Sequence, residues 1–277
     1  MEITVGLFLT LCIFAFICEF IDASLGMGYG TILAPVLILM GFDPTLAVPA
    51  VLISQAFGGL SASIFHHQFE NVSFKANSKD LKLVMIISGF GIIATILAAS
   101  VAITIPKTVL KTYIGAVVLV MGIIVLRNKA FSFSWKKMIG VGILSAFNKG
   151  MSGGGFGPVV TGGQVLSGQD YKAAVGVTTF AEAPICICGF FAYIIGRTIK
   201  EIPGSVIDMP FSEFIKKMVS PNMIQWELIL ALFIGSIIVA PLAAFTTKSI
   251  KKEKVYLIIG ALITALGVWT LVKTWWL

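Results

Sequence analysis

Apolar residues run along this chain almost without relief. Stretches near 3–40, 44–65, 83–105, 109–126, 138–167, 173–196, 223–246 and 255–272 each approach or exceed the ~20 residues of a bilayer-spanning helix. Barrel strands would alternate polar and apolar positions, and these stretches do not. The pattern predicts an all-α integral membrane protein, a polytopic helical bundle of about eight to ten passes. As one helix, 3–40 would measure roughly 57 Å at 1.5 Å per residue, nearly twice the ~30 Å hydrocarbon core. It has to break. The predicted place is SLGMGYG, residues 24–30, where Gly26, Gly28 and Gly30 interrupt the run as a re-entrant hairpin or between two passes.

A shift of 127 residues lays these glycines on Gly153, Gly155 and Gly157 of SGGGFGP. The register continues without a gap through Leu39/Leu166, Gly41/Gly168, Asp43/Asp170, Ala47/Ala174, Val48/Val175 and Ala56/Ala183, giving nine identities across 31 positions. Tyr29 against Phe156 is a further aromatic match. This predicts two repeated halves with Gly-interrupted helices: 1–127 and 138–277, joined by a basic linker, 128–137. The balance of basic residues is the same whether each half crosses four or five times. The short loop carrying Lys248, Lys251, Lys252 and Lys254 favours five, hence inverted repeats with both termini outside.

Broken helices at matching places in two halves point to a transporter's midplane binding site. A helix starting after each break would turn its N–H groups and partial positive charge towards a small anionic substrate. The competing reading is that the glycines only permit close helix packing. Candidate substrate-binding positions are Ser24, Gly26, Gly28, Tyr29 and Gly30 in the first half, and Asn148, Lys149, Ser152, Gly153, Gly154, Gly155 and Gly157 in the second, with Thr161 and Gln164 nearby.

Ionisable groups at membrane depth are costly and suggest function. Asp22 and Lys149 share a repeat position with opposite charge, so they pair across the symmetry axis, or leave Lys149 to meet substrate, or one of them sits at the interface. Gln55 and Glu182 are likewise matched. Glu182 could carry a coupling proton, or hydrogen-bond freed amides at a break near Pro184; Asp22 and Gln55 are the other coupling candidates, and Glu19 a weaker one. His66 and His67, at a helix end, read as interfacial rather than as a relay. Trp275 and Trp276 with Lys273 read as an interfacial anchor, and 211–219 as an amphipathic surface helix.

Composition agrees with the pattern: 57 % of the 277 residues are hydrophobic and 12 % charged. The net charge of +7 invites an acidic partner, but 19 of the 20 Lys and Arg lie at or beyond the ends of apolar runs, with Lys149 the exception. That is the distribution of membrane loops beside a lipid bilayer, and no nucleic acid is needed to explain it. Met1 to Phe20 lacks a basic n-region and an evident cleavage site, so the first segment is expected to remain as a membrane helix. Cys12, Cys18, Cys186 and Cys188 read as packing residues; no metal and no cofactor is expected. Neither HExxH nor a GxxxxGK[ST] loop occurs, which argues against a metal-dependent hydrolase and against ATP as the energy source. The oligomeric state is open, a homo-oligomer being compatible.

DASLGMGYGTILAPVLILMGFDPTLAVPAVLISQAFGGL resembles the first signature of the TauE/SafE family of sulfite exporters and related permeases, and NKGMSGGGFGPVVTGGQVLSGQDYKAAVGVT the second. The resemblance extends over the whole chain in length, segment order and duplication. It implies export of a sulfur-containing anion, such as sulfite or an organosulfonate, across the cytoplasmic membrane, with Gly26 to Gly30 and Gly153 to Gly157 lining the anion site and Asn148, Lys149 and Ser152 as donors. A passive anion channel or uniporter would use the same donors without alternating access.

Overall fold

The computed structural model describes residues 3–127, 135–166, 168–202, 209–249 and 252–276. Eleven helices follow one another: α1 (Val5–Leu25), α2 (Tyr29–Leu39), α3 (Pro44–Gln68), α4 (Lys79–Ala102), α5 (Lys107–Arg127), α6 (Trp135–Ser152), α7 (Gly157–Leu166), α8 (Tyr171–Lys200), α9 (Phe211–Met218), α10 (Trp226–Thr246) and α11 (Lys252–Trp275). No strand occurs among the described residues. Most of the predicted linker, 128–137, and part of the basic loop after Lys248 lie outside them.

Among the described residues seven helices are long and apolar enough to cross a membrane: α1, α3, α4, α5, α8, α10 and Leu257–Trp275 of α11. Every predicted apolar stretch but 138–167, which holds the 18-residue α6, contains one of them. Two short helices, α2 of 11 residues and α7 of 10, share the first and fifth stretches. At 1.5 Å per residue each measures roughly 15 Å, half a hydrocarbon core. Neither can be a pass by itself.

The helices are inside-out by the standards of a water-soluble fold. On α1, Val5, Leu9, Ile13 and Ile17 recur every four residues on the exposed side, while Leu11, Ala15, Cys18, Glu19 and Asp22 face inwards. An outward stripe of aliphatic side chains suits lipid; the interior collects the polar groups that lipid cannot solvate. The main packing pairs are α5 with α11, α1 with α10, α4 with α6, α3 with α8, α3 with α10 and α4 with α8. Hydroxyls tie two of these pairs: Ser236 of α10 donates to the Ser54 carbonyl of α3 at 3.1 Å, and Thr95 of α4 to the Ala146 carbonyl of α6 at 2.8 Å.

The repeat-matched aspartates both act as helix N-caps. Asp43 accepts the Thr45 N–H at 2.9 Å at the head of α3, and Asp170 accepts the Lys172 N–H at 3.0 Å at the head of α8. Asp43 also pairs with Lys107. Burial works against its charge, but Lys107 and the Thr45 N–H and hydroxyl together hold the Asp43 carboxyl below the usual carboxylate range. Such a group adds stability above its unfolded pKa of ~4, and that stability is lost as pH falls through the lower folded value. Asp43→Asn should therefore cost less than ~1 kcal/mol at neutral pH, because the pair is partly exposed. The difference in melting temperature should close on acidification below about pH 4.

The surface helix expected over 211–219 is α9, with Phe211 exposed. Trp275 and Trp276 are also exposed, and the Trp275 indole donates to Thr112 at 3.0 Å.

Candidate functional site

Two chain breaks form the centre. α1 closes where Gly26 turns left-handed, φ +75°, its N–H returning to the Asp22 carbonyl. Gly28, at φ +139°, occupies a conformation that side chains rarely adopt, and α2 opens one residue later. Its N terminus is not left bare. Asp22 Oδ1 accepts the Tyr29 N–H at 3.1 Å, a carboxylate seated at the positive end of a helix. The Tyr29 hydroxyl, wholly buried, lies 2.7 Å from the Ser54 hydroxyl.

The second break has the same outline. α6 closes with the Gly153 N–H on the Lys149 carbonyl at 2.8 Å, Gly153 and Gly155 have positive φ, and α7 opens at Gly157. Ser152 donates to the Asn148 carbonyl at 2.7 Å and accepts the Gly154 N–H at 3.2 Å; Tyr113 donates to Asn148 Oδ1. The two breaks touch. The Gly155 N–H donates to Thr31 Oγ1 at 3.0 Å, and the Thr161 hydroxyl lies 3.0 Å from the Gly26 carbonyl. Behind Thr161, the Thr178 hydroxyl at 2.9 Å accepts from the Gln164 amide at 2.8 Å. The Tyr171 hydroxyl reaches the Leu25 carbonyl, which the end of α1 frees, at 3.2 Å. Ser24 bonds its own helix, to the Phe20 carbonyl.

Beside this contact runs a ladder of four buried side chains. Gln55 Nε2 donates to Asp22 Oδ2 at 3.1 Å, Lys149 Nζ donates to Gln55 Oε1, and Lys149 Nζ lies 2.7 Å from Glu182 Oε1. They come from α1, α3, α6 and α8, and each is 4 % exposed or less. Asp22 and Lys149 do not pair directly, because Gln55 stands between them and the lysine's ion pair goes to Glu182. Glu182 is not spent on amides at a break, since α8 passes Pro184 uninterrupted. The ladder places one cation and two carboxylates where water is excluded, and its members are the two repeat-matched pairs.

His66 departs from expectation. It is wholly buried, Nε2 2.7 Å from the Ala23 carbonyl and Nδ1 3.1 Å from the Asn71 amide, which also donates to the Ala244 carbonyl at 2.8 Å. It fastens the last turn of α1 to α3 and, through Asn71, to α10. A histidine at a helix end beside Gln68 and Glu70 looks the same in sequence whether it faces headgroups or a carbonyl. Asn71, Tyr113 and Thr178 are polar residues of the site that sequence reading passed over. Thr178 had a signal, since it lies one turn before Glu182 on the same face of α8.

Residues 11–270 match the family model for the sulfite exporter TauE/SafE. The chain belongs to the TauE/SafE family. The curated relative "Probable membrane transporter protein YtnM" of Bacillus subtilis (strain 168) is 25 % identical to this TauE/SafE chain over 282 residues, covering 96 % of this chain and 84 % of that protein. No solved structure matches. As a TauE/SafE protein with seven apolar membrane-length helices among its described residues, the chain is a multi-pass membrane transporter and not an enzyme.

Proposed function

We propose that the protein is a secondary transporter that exports a small sulfur-containing anion, such as sulfite or an organosulfonate, across the cytoplasmic membrane. The observation that carries this reading is Lys149, a buried cation beside the second helix break whose partner is a carboxylate. At the first break the seat at the α2 N terminus is taken by Asp22. The matching position of the second break is Lys149, a donor that cannot accept from the α7 amides, so an anion there would meet both the helix end and a positive charge. In this reading Asn148, Ser152 and Gly153 to Gly157 surround that seat, and from the first half Gly30 lies beside Lys149, while the Tyr29 hydroxyl is turned to Ser54.

Glu182 is then the internal anion that substrate must displace. A proton on Glu182 releases Lys149, which links anion binding to proton binding: anion and proton then move in the same direction, so export runs on the outward anion gradient, and in liposomes an imposed pH gradient drives the anion the way the protons flow. The duplicated organisation, with halves 1–127 and 138–277 in inverted orientation, supports alternating access. Shifting by one repeat turns the α1–α10 pair into α6–α4 and α3–α10 into α8–α4, while α3–α8 and α5–α11 map onto themselves. In this reading α1–α2 and α6–α7 each work as one membrane element interrupted at its glycines.

The test is uptake of sulfite into liposomes holding the purified protein, with and without an imposed pH gradient. Accumulation above equilibrium supports coupled transport; downhill flux alone would leave a uniporter or channel, and no flux would remove sulfite. The coupling assignment has its own check, with an alkanesulfonate as probe because it keeps its charge. Its affinity for the native protein should rise as pH falls. In Glu182→Gln binding should tighten at neutral pH by about tenfold, equivalent to ~1.4 kcal/mol, and lose its pH dependence. Retained pH dependence would remove Glu182 from the coupling step.

A further inference from the structure

Glu19 lies one turn before Asp22 on the inner face of α1. It is wholly buried, and neither carboxylate oxygen has a hydrogen-bond partner among the described residues. Its setting is narrow. The position a Cβ would take on Gly58 of α3 is 3.0 Å from Glu19 Oε1 and 2.9 Å from Cβ of Ser236 on α10, so the absence of a side chain at Gly58 is what makes room for the carboxyl. The charged and titratable groups around it are Cys18 and Asp22 on its own helix, Tyr29 on α2, Lys149 on α6, and Glu182 and Cys186 on α8. From α10, Ser236 borders the same Gly58 position.

The repeat partner of Glu19 is Ala146 and that of Gly58 is Ile185. In the second half Ile185 and Ala146 pack against Gly91 of α4, with the same spot filled by hydrocarbon. The scaffold therefore holds without a carboxyl there. Lys149, the one cation in the cluster, is already engaged by Glu182 and Gln55. With Glu19 ionised, three carboxylates would oppose one lysine out of reach of water, an arrangement for which burial gives no compensation.

We propose that Glu19 is a second proton-binding site, protonated in this conformation, whose proton crosses with the anion in addition to the one linked to Glu182. The ligand is a proton rather than a metal cation because an alkali cation needs several oxygens, while among the described residues neither Glu19 oxygen has a hydrogen-bond partner and no group of three or more metal-ligating side chains occurs. Neutralising Glu19 removes one negative charge from the cluster and neutralising Glu182 a second, after which an entering anion no longer meets net negative charge.

The transported-proton part rests on the transporter reading; the protonation part does not, and the experiment separates them. Infrared spectra of the substrate-free protein in lipid at neutral pH should contain the carbonyl stretch of a buried protonated carboxylic acid. That band should vanish in Glu19→Gln and persist in Glu182→Gln. Glu19→Ala, which copies the second half, serves if the glutamine variant does not fold. A band that survives loss of Glu19 overturns the proposal. In liposomes, protons moved per sulfite should fall by one in Glu19→Gln; an unchanged ratio, or uptake driven by a sodium gradient and lost in that variant, also overturns it. If the native protein moves no sulfite, the export reading falls while the infrared result still decides whether Glu19 holds a proton.

Discussion

Lys149→Gln should abolish sulfite transport, reducing it by at least about a hundredfold, a loss of roughly 3 kcal/mol in charge-assisted binding. The size follows from burial. Lys149 is 1 % exposed, so no water replaces the charge that glutamine lacks. The same change leaves Glu182 unpaired in the interior, at a cost of ~3–5 kcal/mol in stability, which by itself could empty the membrane of folded protein. The double variant Lys149→Gln, Glu182→Gln separates the two effects. It removes both charges, keeps donors and acceptors along the ladder, and should recover most of the lost melting temperature while remaining inactive. A double variant that transports sulfite at the native rate would take Lys149 out of the anion site.

The left-handed glycine turns were legible because glycine spacing is a local signal. Gly26, Gly28, Gly153 and Gly155 take positive φ between helices, and Asp43 and Asp170 are caps that a residue pair can announce. The ladder was legible only in its members. The register matched Asp22 with Lys149 and Gln55 with Glu182, but which of the four touch depends on how α1, α3, α6 and α8 cross, and no spacing within one helix carries that. Hence Gln55 came to stand between two residues of opposite charge that looked like partners. The length of an apolar run could not give its passes either. Apolar length measures residues in hydrocarbon, and half-helices such as α2 and α7 lengthen a run without crossing.

Gly30→Ala should be the most damaging added methyl among the described glycines. Gly30 sits in the first turn of α2, where the added Cβ would fall on the carbonyl of Gly153, in the other break. The second half answers in kind: a Cβ on Gly157 would meet the Gly26 carbonyl, and one on Gly154 would lie 2.7 Å from the Thr31 backbone. Overpacking a core commonly costs 1–3 kcal/mol because side chains shift to other rotamers. Here the obstruction is main chain on both sides, fixed by helices that begin at the contact, and the two tips would have to separate. That separation would also pull Lys149 from Gln55, since the ladder crosses between the halves beside the same contact. Gly162→Ala in α7 is the control, because nothing lies within 4 Å of its added methyl and alanine is the better helix former. Thermal unfolding in detergent should place Gly162→Ala at or above the native protein, and Gly30→Ala well below it or unfolded. Equal melting of Gly30→Ala and the native protein would mean that the two glycine tips do not meet, and the anion seat proposed between them would lose its walls.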